Sequence, residues 1–352
     1  MLPSPHEGHR GGAHVMAGDR QQTTDPHTGS PRRRVLTAAA LAPLLAAAPA
    51  PARARPAPLP HEPITPGGRK LIEPVHTTLA DWKKVAKALG RTGDMKRKVM
   101  YHTGLPRRDL RVDSHHVRVK APLALGSHVS FVRYADDSTL VMGDIVVTEH
   151  ELQDFVDTLQ EHRLHLTALH KHLLSQRPDV WWVHVHGHGD EPVAMARGLR
   201  EAFDGTGTPP DKASDPDEKV DLDTDGIDDA MGAKGSVDDG IYKCIFVRKE
   251  KISDGKLVLP PGLGSTSAFN FQPLGHGRAA ISADCCMIAK EVPRVLRALR
   301  KADAKLVELH NHGLTDEPRL FFVHVWAVGD AVRLARALRH AVDATDVVPA
   351  GS

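Results

Sequence analysis

Histidine is the residue through which this chain could do chemistry, and its placement follows a pattern. The stretch LTALHKHLLSQRPDVWWVHVHGHGD ends at Asp190, and LVELHNHGLTDEPRLFFVHVWAVGD ends at Asp330. The second follows the first at a constant offset of 140, so His170, His172 and His184 coincide with His310, His312 and His324. The first stretch carries two further imidazoles, His186 and His188, where the second has Trp326 and Val328. Neutral imidazole is the commonest protein ligand for zinc, copper and nickel, and two or three on a rigid sheet make a site. The pattern therefore points to a divalent transition metal such as zinc or copper. The candidate ligands are His170, His172, His184, His186, His310, His312 and His324. Two other readings compete: histidines on the solvated face of a half-buried sheet, and a pH-sensitive network between two copies of one unit.

Strand parity sharpens the first reading. Side chains in a strand alternate faces, so His170 and His172 point one way, and His184, His186 and His188 are in phase on the next strand. If SQRPD closes a hairpin, Leu174 faces Val180 and His170 faces His184. Opposed Cβ atoms then lie about 4.5–5.5 Å apart. Leu169, Leu173, Val183 and Val185 would occupy the other face. The same arithmetic sets His310 opposite His324, with His312 and Glu308 beside them. Asp190 and Asp330 each precede a helix and read as caps that accept its first N–H groups. The run DLDTDG at 221–226 resembles the start of a calcium loop, but its twelfth position is Gly232 rather than glutamate, so it reads better as an acidic helix entry. No G-x-S-x-G elbow, glycine-rich phosphate loop followed by lysine, or H-E-x-x-H is present.

The elements that must position these residues are also repeated. DWKKVAKALG places Trp82, Val85 and Leu89 on one helical face. HVSFVRY and TLVMGDIVV flank the turn ADDS, a hairpin signal, and Thr148 with Glu151 forms a capping box. The next helix carries Leu152, Phe155, Val156 and Leu159, matched by Val292, Val295, Leu296 and Leu299. The last repeats Met195, Leu199 and Phe203 as Leu334, Leu338 and Val342. Gly90, Tyr101 and Gly126 align with Gly232, Tyr242 and Gly264 at offsets drifting from 142 to 138. The expected fold is α+β: an internal duplication, each copy β-β-α-β-β-α with an antiparallel sheet and helices on one face, the copies related by a pseudo-twofold and paired through their sheets. The expected boundaries are an export signal over 1–54, a proline-rich linker over 55–77, a first repeat over 78–204, a joint over 205–218, a second repeat over 219–345 and a tail over 346–352.

Composition narrows the setting. With 46 basic and 44 acidic residues the formal net charge is +2, which argues against nucleic acid as a partner. The segment PRRRVLTAAALAPLLAAAPAPARA has a basic head, an apolar run and a small-residue stop at Ala52-Arg53-Ala54, and Arg32 and Arg33 followed by Val35 and Leu36 look like a twin-arginine export signal. No cysteine lies near that stop, so no lipid anchor is expected, and the mature part has no spanning helix. The three cysteines, Cys244, Cys285 and Cys286, allow one bridge from Cys244 to either of the others and leave at least one thiol unpaired.

The duplicated LHxH…P…VHxxxxGD block, with W…ALG, PRRDL and GIYK…LPPGLGSTSAFNFQPLG, resembles the LppY/LpqO family of exported bacterial proteins. The resemblance spans nearly all of residues 75–345. It implies an extracytoplasmic setting and a duplicated architecture, and no biochemical activity, because none is assigned to the family. The expected function is an exported, histidine-lined protein that binds a metal or small ligand. The alternatives are a cell-envelope interaction module with structural histidines, and a metal-dependent enzyme with His188 or Glu308 as the general base.

Overall fold

The computed structural model describes residues 70–210 and 219–351. The expected export signal lies outside them, as do residues 55–69 of the expected linker and 211–218 of the expected joint. The first copy runs α1 (Lys83–Leu89), β1 (Asp94–Lys96), β2 (Met100–Pro106), β3 (Asp113–Ser114), β4 (Val117–Arg118) and α2 (Ala121–Ala124). It continues with β5 (Gly126–Arg133), β6 (Thr139–Thr148), α3 (Leu152–Glu161), β7 (His165–His170), β8 (Gln176–Arg177), β9 (Val180–Gly189) and α4 (Pro192–Asp204). The second copy opens with α5 (Thr224–Met231), β10 (Ser236–Asp238), β11 (Ile241–Arg248), β12 (Ile252–Asp254), β13 (Leu257–Leu259), β14 (Thr266–Pro273) and β15 (Arg278–Ile288). It closes with α6 (Val292–Lys301), β16 (Lys305–His310), β17 (Asp316–Glu317), β18 (Leu320–Asp330), α7 (Ala331–Val342) and β19 (Val347–Pro349).

Each copy builds one antiparallel sheet, ordered β1-β2-β5-β6-β9-β7 in the first and β10-β11-β14-β15-β18-β16 in the second. The expected β-β-α-β-β-α unit is β5-β6-α3-β7-β9-α4 and its counterpart, preceded in each copy by a helix and two further sheet strands. Strands β6 and β15 are buried along nearly their whole length. That explains their continuous apolar runs: helices cover one face of each sheet and the other copy covers the second. On the helix side of the first sheet, Trp82, Val85, Phe155, Leu159, Leu199 and Phe203 pack on Val129, Phe131, Val183 and Val185. Burying each such large side chain contributes roughly 1.5–3 kcal/mol. The second copy repeats this core through Ile227, Met231, Val295, Leu299 and Leu338.

Between the sheets, residues of both copies share two further cores. Met100, Tyr134 and Met142 pack with Leu257, Leu263 and Phe322. Val146, Leu173 and Trp182 pack with Ile241, Ala280 and Trp326. Each copy also extends a hairpin over the other. The β12–β13 hairpin reaches the first copy, where the Tyr134 hydroxyl donates to the Val258 carbonyl at 3.0 Å. The β3–β4 hairpin reaches the second, where Gln272 Nε2 donates to the Arg118 carbonyl at 2.7 Å. The two copies lie within one compact unit, Pro66–Ser352.

One duplicated ion-pair network and two local caps hold the helices to the sheets. Arg107, 1% exposed, pairs with Glu151 at 2.8 Å and with Asp109 at 2.8 Å. Arg248 repeats this with Glu291 and Glu250. Glu151 also accepts from the Thr148 N–H at 2.7 Å while the Thr148 hydroxyl accepts from Glu151 N at 3.3 Å, the expected capping box. Asp223 caps α5 by accepting from Gly226 N at 2.9 Å, the expected acidic helix entry.

Several expectations are corrected. Asp330 caps α7 through Arg333 N, but α4 starts later, at Pro192, with Glu191 at the cap and no side-chain bond, so Asp190 is not its cap. Proline at the first helical position sets that later start. The register places Phe131 beside Tyr101 and Phe271 beside Tyr242, so Gly126 corresponds to Thr266 rather than Gly264. All three cysteines are free and buried. Strand β14 separates β11 from β15, leaving Cys244 about two strand spacings, roughly 9–10 Å, from the pair on β15, beyond disulfide reach. The expected tail contains β19, which pairs with β11, and Ile72 and Pro74 of the expected linker bridge to Leu257 and Tyr134.

Candidate metal centre

The hairpin register differs from expectation, and the difference builds the site. His170 lies opposite Trp182, and Ala168 opposite His184, with a bulge between Leu166 and Ala168. The second copy repeats this: His310 faces Phe322, Glu308 faces His324, with the bulge between Leu306 and Glu308. Strands β7 and β16 stop at His170 and His310, and the chain then leaves to form β8 and β17, so no tight hairpin closes. The shift is two residues, which preserves parity and keeps the imidazoles on the inner face. Leu173, expected on the helix side, instead enters the inter-sheet core.

Six histidines converge where the two sheets meet. The rings of His170 and His310 stack at 4.0 Å. His172 stacks on His324 at 3.7 Å, and His184 meets His312 at 3.9 Å. Exchanging the copies maps the second pair onto the third, so the pseudo-twofold passes between His170 and His310. The outer rings obey it too: His172 stacks on Trp182 at 4.6 Å and His312 on Phe322 at 3.3 Å. The edges of the sheets are tied beside the cluster by Thr167 Oγ1 donating to the His312 carbonyl at 2.6 Å and Lys171 N donating to Glu308 at 2.7 Å.

Three groups of nitrogens come within 4.8 Å of one another and could hold a metal ion: His170–His184–His310, His170–His172–His324 and His310–His312–His324. Any two groups share one residue. A neutral imidazole offers one lone pair, so shared corners cannot serve two ions at once.

Two aspartates that the histidine pattern did not flag join the cluster. Asp144 Oδ2 lies 3.2 Å from His172 Nε2, and Oδ1 lies 3.9 Å from His184 Nε2. Its equivalent, Asp284, lies 3.7 Å from His324 Nδ1. Both stand opposite their histidine in the ladder, Asp144 to His184 and Asp284 to His324. Their separation is 140 residues, so the duplication carried a signal for them; it was masked because each sits in an apolar strand.

Burial, reinforced by neighbouring imidazoles, depresses the basicity of the cluster. His170, His312 and His324 fall well below the ordinary histidine value, and His310 falls to about 3. His184 falls to about 4, with Asp144 partly opposing. The aspartates diverge. Burial raises Asp284 far above the carboxylate range, reinforced by the charge of Asp144. Burial would raise Asp144 as well, but His184 and His172 outweigh it and hold it below that range. Burial thus favours the uncharged form of His170, His184, His310, His312 and His324, beside the Asp144 carboxylate.

Nine buried polar atoms of this cluster lack a hydrogen-bond partner among the described residues. They are His170 Nδ1, His184 Nε2, both nitrogens of His310 and of His324, His312 Nε2, Asp144 Oδ1 and Asp284 Oδ1. Leaving a buried donor or acceptor unsatisfied costs about 1–3 kcal/mol each, so a bound cation that uses the lone pairs fits this donor set. Beside the cluster lies a cavity of about 330 Å³ between the sheets, lined by His172, His184, His312, His324, Asp144 and Asp284 at one end and by His102, His128, Lys96 and Lys243 elsewhere.

The other candidates are placed elsewhere. His186 Nε2 contacts Asp254 of the crossing hairpin at 2.6 Å and is in none of the three groups. His188 is exposed, and neither it nor Glu308 lines the cavity.

Both halves of the chain, residues 83–205 and 225–344, match the family described as Domain of Unknown Function (DUF1259). The chain belongs to this family. The two DUF1259 regions are the two copies seen in the fold, so the candidate centre is built by a tandem pair of DUF1259 units. No curated protein matches the chain. Two solved structures do, both at low identity. A trimeric bacterial microcompartment shell protein, PduB, is 10% identical over 74% of this chain and 97% of its own, with a TM-score of 0.19. EtuB from Clostridium kluyveri is 11% identical over 72% of this chain and 90% of its own, with a TM-score of 0.18. Scores this low carry no argument about fold or activity.

Proposed function

We propose that this protein binds a divalent transition metal, zinc or copper, at the histidine cluster shared by its two copies. The observation that carries the reading is the convergence of six imidazoles, five of them with buried nitrogens unpartnered among the described residues, into groups of metal-binding spacing. Of the three groups, His170–His172–His324 is favoured, because Asp144 lies 3.2 Å from His172 and 4.0 Å from His170 and supplies a carboxylate beside it. The ion would be held by two imidazoles of one copy and one of the other. A metal there would supply Lewis acidity beside a cavity of about 330 Å³, a size that takes a small molecule. His186 is then a structural residue rather than a ligand.

The setting is proposed from sequence alone. The arginine pair at Arg32 and Arg33 and the apolar run after it support export by the twin-arginine route, and the resemblance to LppY/LpqO proteins supports the same extracytoplasmic setting. Among the described residues no helix is long and apolar enough to cross a membrane.

The test is elemental analysis and calorimetric titration of chelator-treated full-length protein with zinc and copper(II), beside His170→Ala and His324→Ala. Near-stoichiometric, saturable binding in the parent and its loss in both variants is the expected result. Equal metal content in all three proteins, or none in a correctly folded parent, overturns the reading.

A further inference from the structure

The outer helices of the second copy enclose a groove of about 730 Å³ lined by Arg294, Arg297, Lys301, Arg333, Arg336 and His340. Its floor is Ala298, Ala302 and Ala337. The four arginines and the lysine are exposed, none makes an ion pair or side-chain hydrogen bond among the described residues, and no carboxylate lines the groove. Like charges one helical turn apart repel, at a cost of about 0.2–0.5 kcal/mol per pair. A fold that keeps two such rows without counter-charge has placed them for something that supplies it.

The duplication makes the groove's purpose easier to read. The positions of the first copy equivalent to Arg294, Arg297 and Lys301 are Asp154, Asp157 and Glu161, and the equivalent of His340 is Glu201. The α6 side of this surface is thus acidic in the first copy and basic in the second, whereas on the α7 side Arg197 keeps the charge of Arg336 and Ala194 stands for Arg333; the near-zero net charge of the whole chain conceals the contrast. In the first copy, His162 replaces Ala302, packs against Gly198 and contacts Glu201 at 2.9 Å, filling the space that the alanines leave open.

We infer that the α6–α7 groove is a binding site for a linear, phosphate-bearing polyanion. Along each helix the cations span seven residues, about 10 Å, and packed helices lie about 8–10 Å apart. Two rows of that length and separation can grip successive phosphates from both sides, with guanidinium forks suited to bidentate contact. The alanine floor admits a thin chain. Nucleic acid is the less suitable polyanion, because the lining has no Trp, Tyr or Phe on which bases would stack. The site lies on the outer helices, away from the inter-sheet cavity, and does not depend on any metal.

The experiment is fluorescence-anisotropy titration of the full chain with labelled short-chain inorganic polyphosphate at low and moderate salt. The parent is compared with Arg297→Gln/Arg336→Gln and with Ala337→Leu, which fills the floor without altering charge. Saturable, salt-sensitive binding is expected. The double variant should weaken it about a hundredfold, since removing one charge-assisted hydrogen-bonding group weakens binding about tenfold. The leucine variant should weaken it at unchanged net charge. Arg297 and Arg336 are exposed and Ala337 is partly buried on the groove floor, so unchanged melting temperatures certify that each variant folds. The inference is overturned if the parent does not bind polyphosphate or if the double variant binds as tightly. It is also overturned if oligo(dT) binds as well as polyphosphate, if only anionic vesicles are bound, or if sedimentation shows the groove occupied by the acidic face of a second copy.

Discussion

Replacing His170 by leucine should reverse the usual sign of a core substitution, and the reversal isolates what the cluster is for. His170 is 0% exposed. Its Nδ1 has no partner among the described residues, and its Nε2 meets His172 Nε2 at 3.0 Å. Removing the unsatisfied nitrogen returns about 1–3 kcal/mol, and losing the one hydrogen bond costs about 1 kcal/mol. Leucine is of similar bulk, so little cavity is created. The metal-free variant should therefore be as stable as the metal-free parent or up to about 2 kcal/mol more stable. Zinc changes the comparison. At a free concentration of about one hundred times Kd, binding stabilises the parent by about 2.7 kcal/mol. In a unit of this size that is a rise in Tm of roughly 5 °C. The variant, lacking a shared corner of two of the three groups, should show no such rise. Differential scanning calorimetry of chelator-treated proteins, with and without zinc, measures both quantities. A metal-free variant destabilised by several kcal/mol and an undiminished zinc shift would refute the argument and make the histidines a structural network.

Three further outcomes follow from the same structure. His186→Gln should leave metal stoichiometry unchanged in elemental analysis while lowering stability by about 1 kcal/mol, because its hydrogen bond to Asp254 is removed; a fall in metal content would return His186 to the ligand set. Against the raising effect of burial, hydrogen bonds from Arg107, Thr148 N and Gly207 N draw the Glu151 carboxyl down to about 2, below its ordinary 4.5. A depressed carboxylate contributes stability that is present above pH 4.5 and lost as pH falls towards 2. Arg107→Met should therefore be destabilising by about 3–5 kcal/mol at neutral pH and should flatten the acid limb of a stability–pH curve, as read by urea unfolding. The third outcome concerns the thiols: burial pushes Cys244 up to about 12 and raises Cys285 and Cys286 as well, so an aromatic disulfide reagent should titrate no thiol in the native protein and three after unfolding.

Much of the architecture was legible because the chain repeats itself. The shared offset exposed the six histidines and the helix stripes, and the spacing of Thr148 and Glu151 exposed the capping box; each depends on local sequence. Parity predicted the correct face for the cluster even though the register was off by two. The bulges at Leu166/Ala168 and Leu306/Glu308 and the excursions to β8 and β17 are tertiary in origin, since β8 is paired with β3 and β17 with β12. Nothing in the segment SQRPD itself distinguishes such an excursion from a turn. Asp144 and Asp284 were hidden for a different reason: in a strand buried on both faces, a single carboxylate looks like an interruption rather than a ligand. Least legible was that the two histidine sets form one cluster instead of two. Parity gives the direction of a side chain, whereas the partner across the gap is decided by how the sheets dock.

That docking has a consequence for how the centre behaves on dilution. Were its two halves separate polypeptides, a site that takes His170 and His172 from one and His324 from the other would exist only while they stayed associated, and would vanish as concentration fell. Joined in one chain, each half meets the other at an effective concentration in about the millimolar range, whatever the abundance of the protein. The fusion also removes the obligation of the halves to be identical. One copy can hold Trp326 where the other holds His186, and can invert the charge along one of its outer helices, while the six imidazoles at the axis remain paired. The chain thus has the geometry of a symmetric dimer with the freedom of a heterodimer, always at one-to-one stoichiometry.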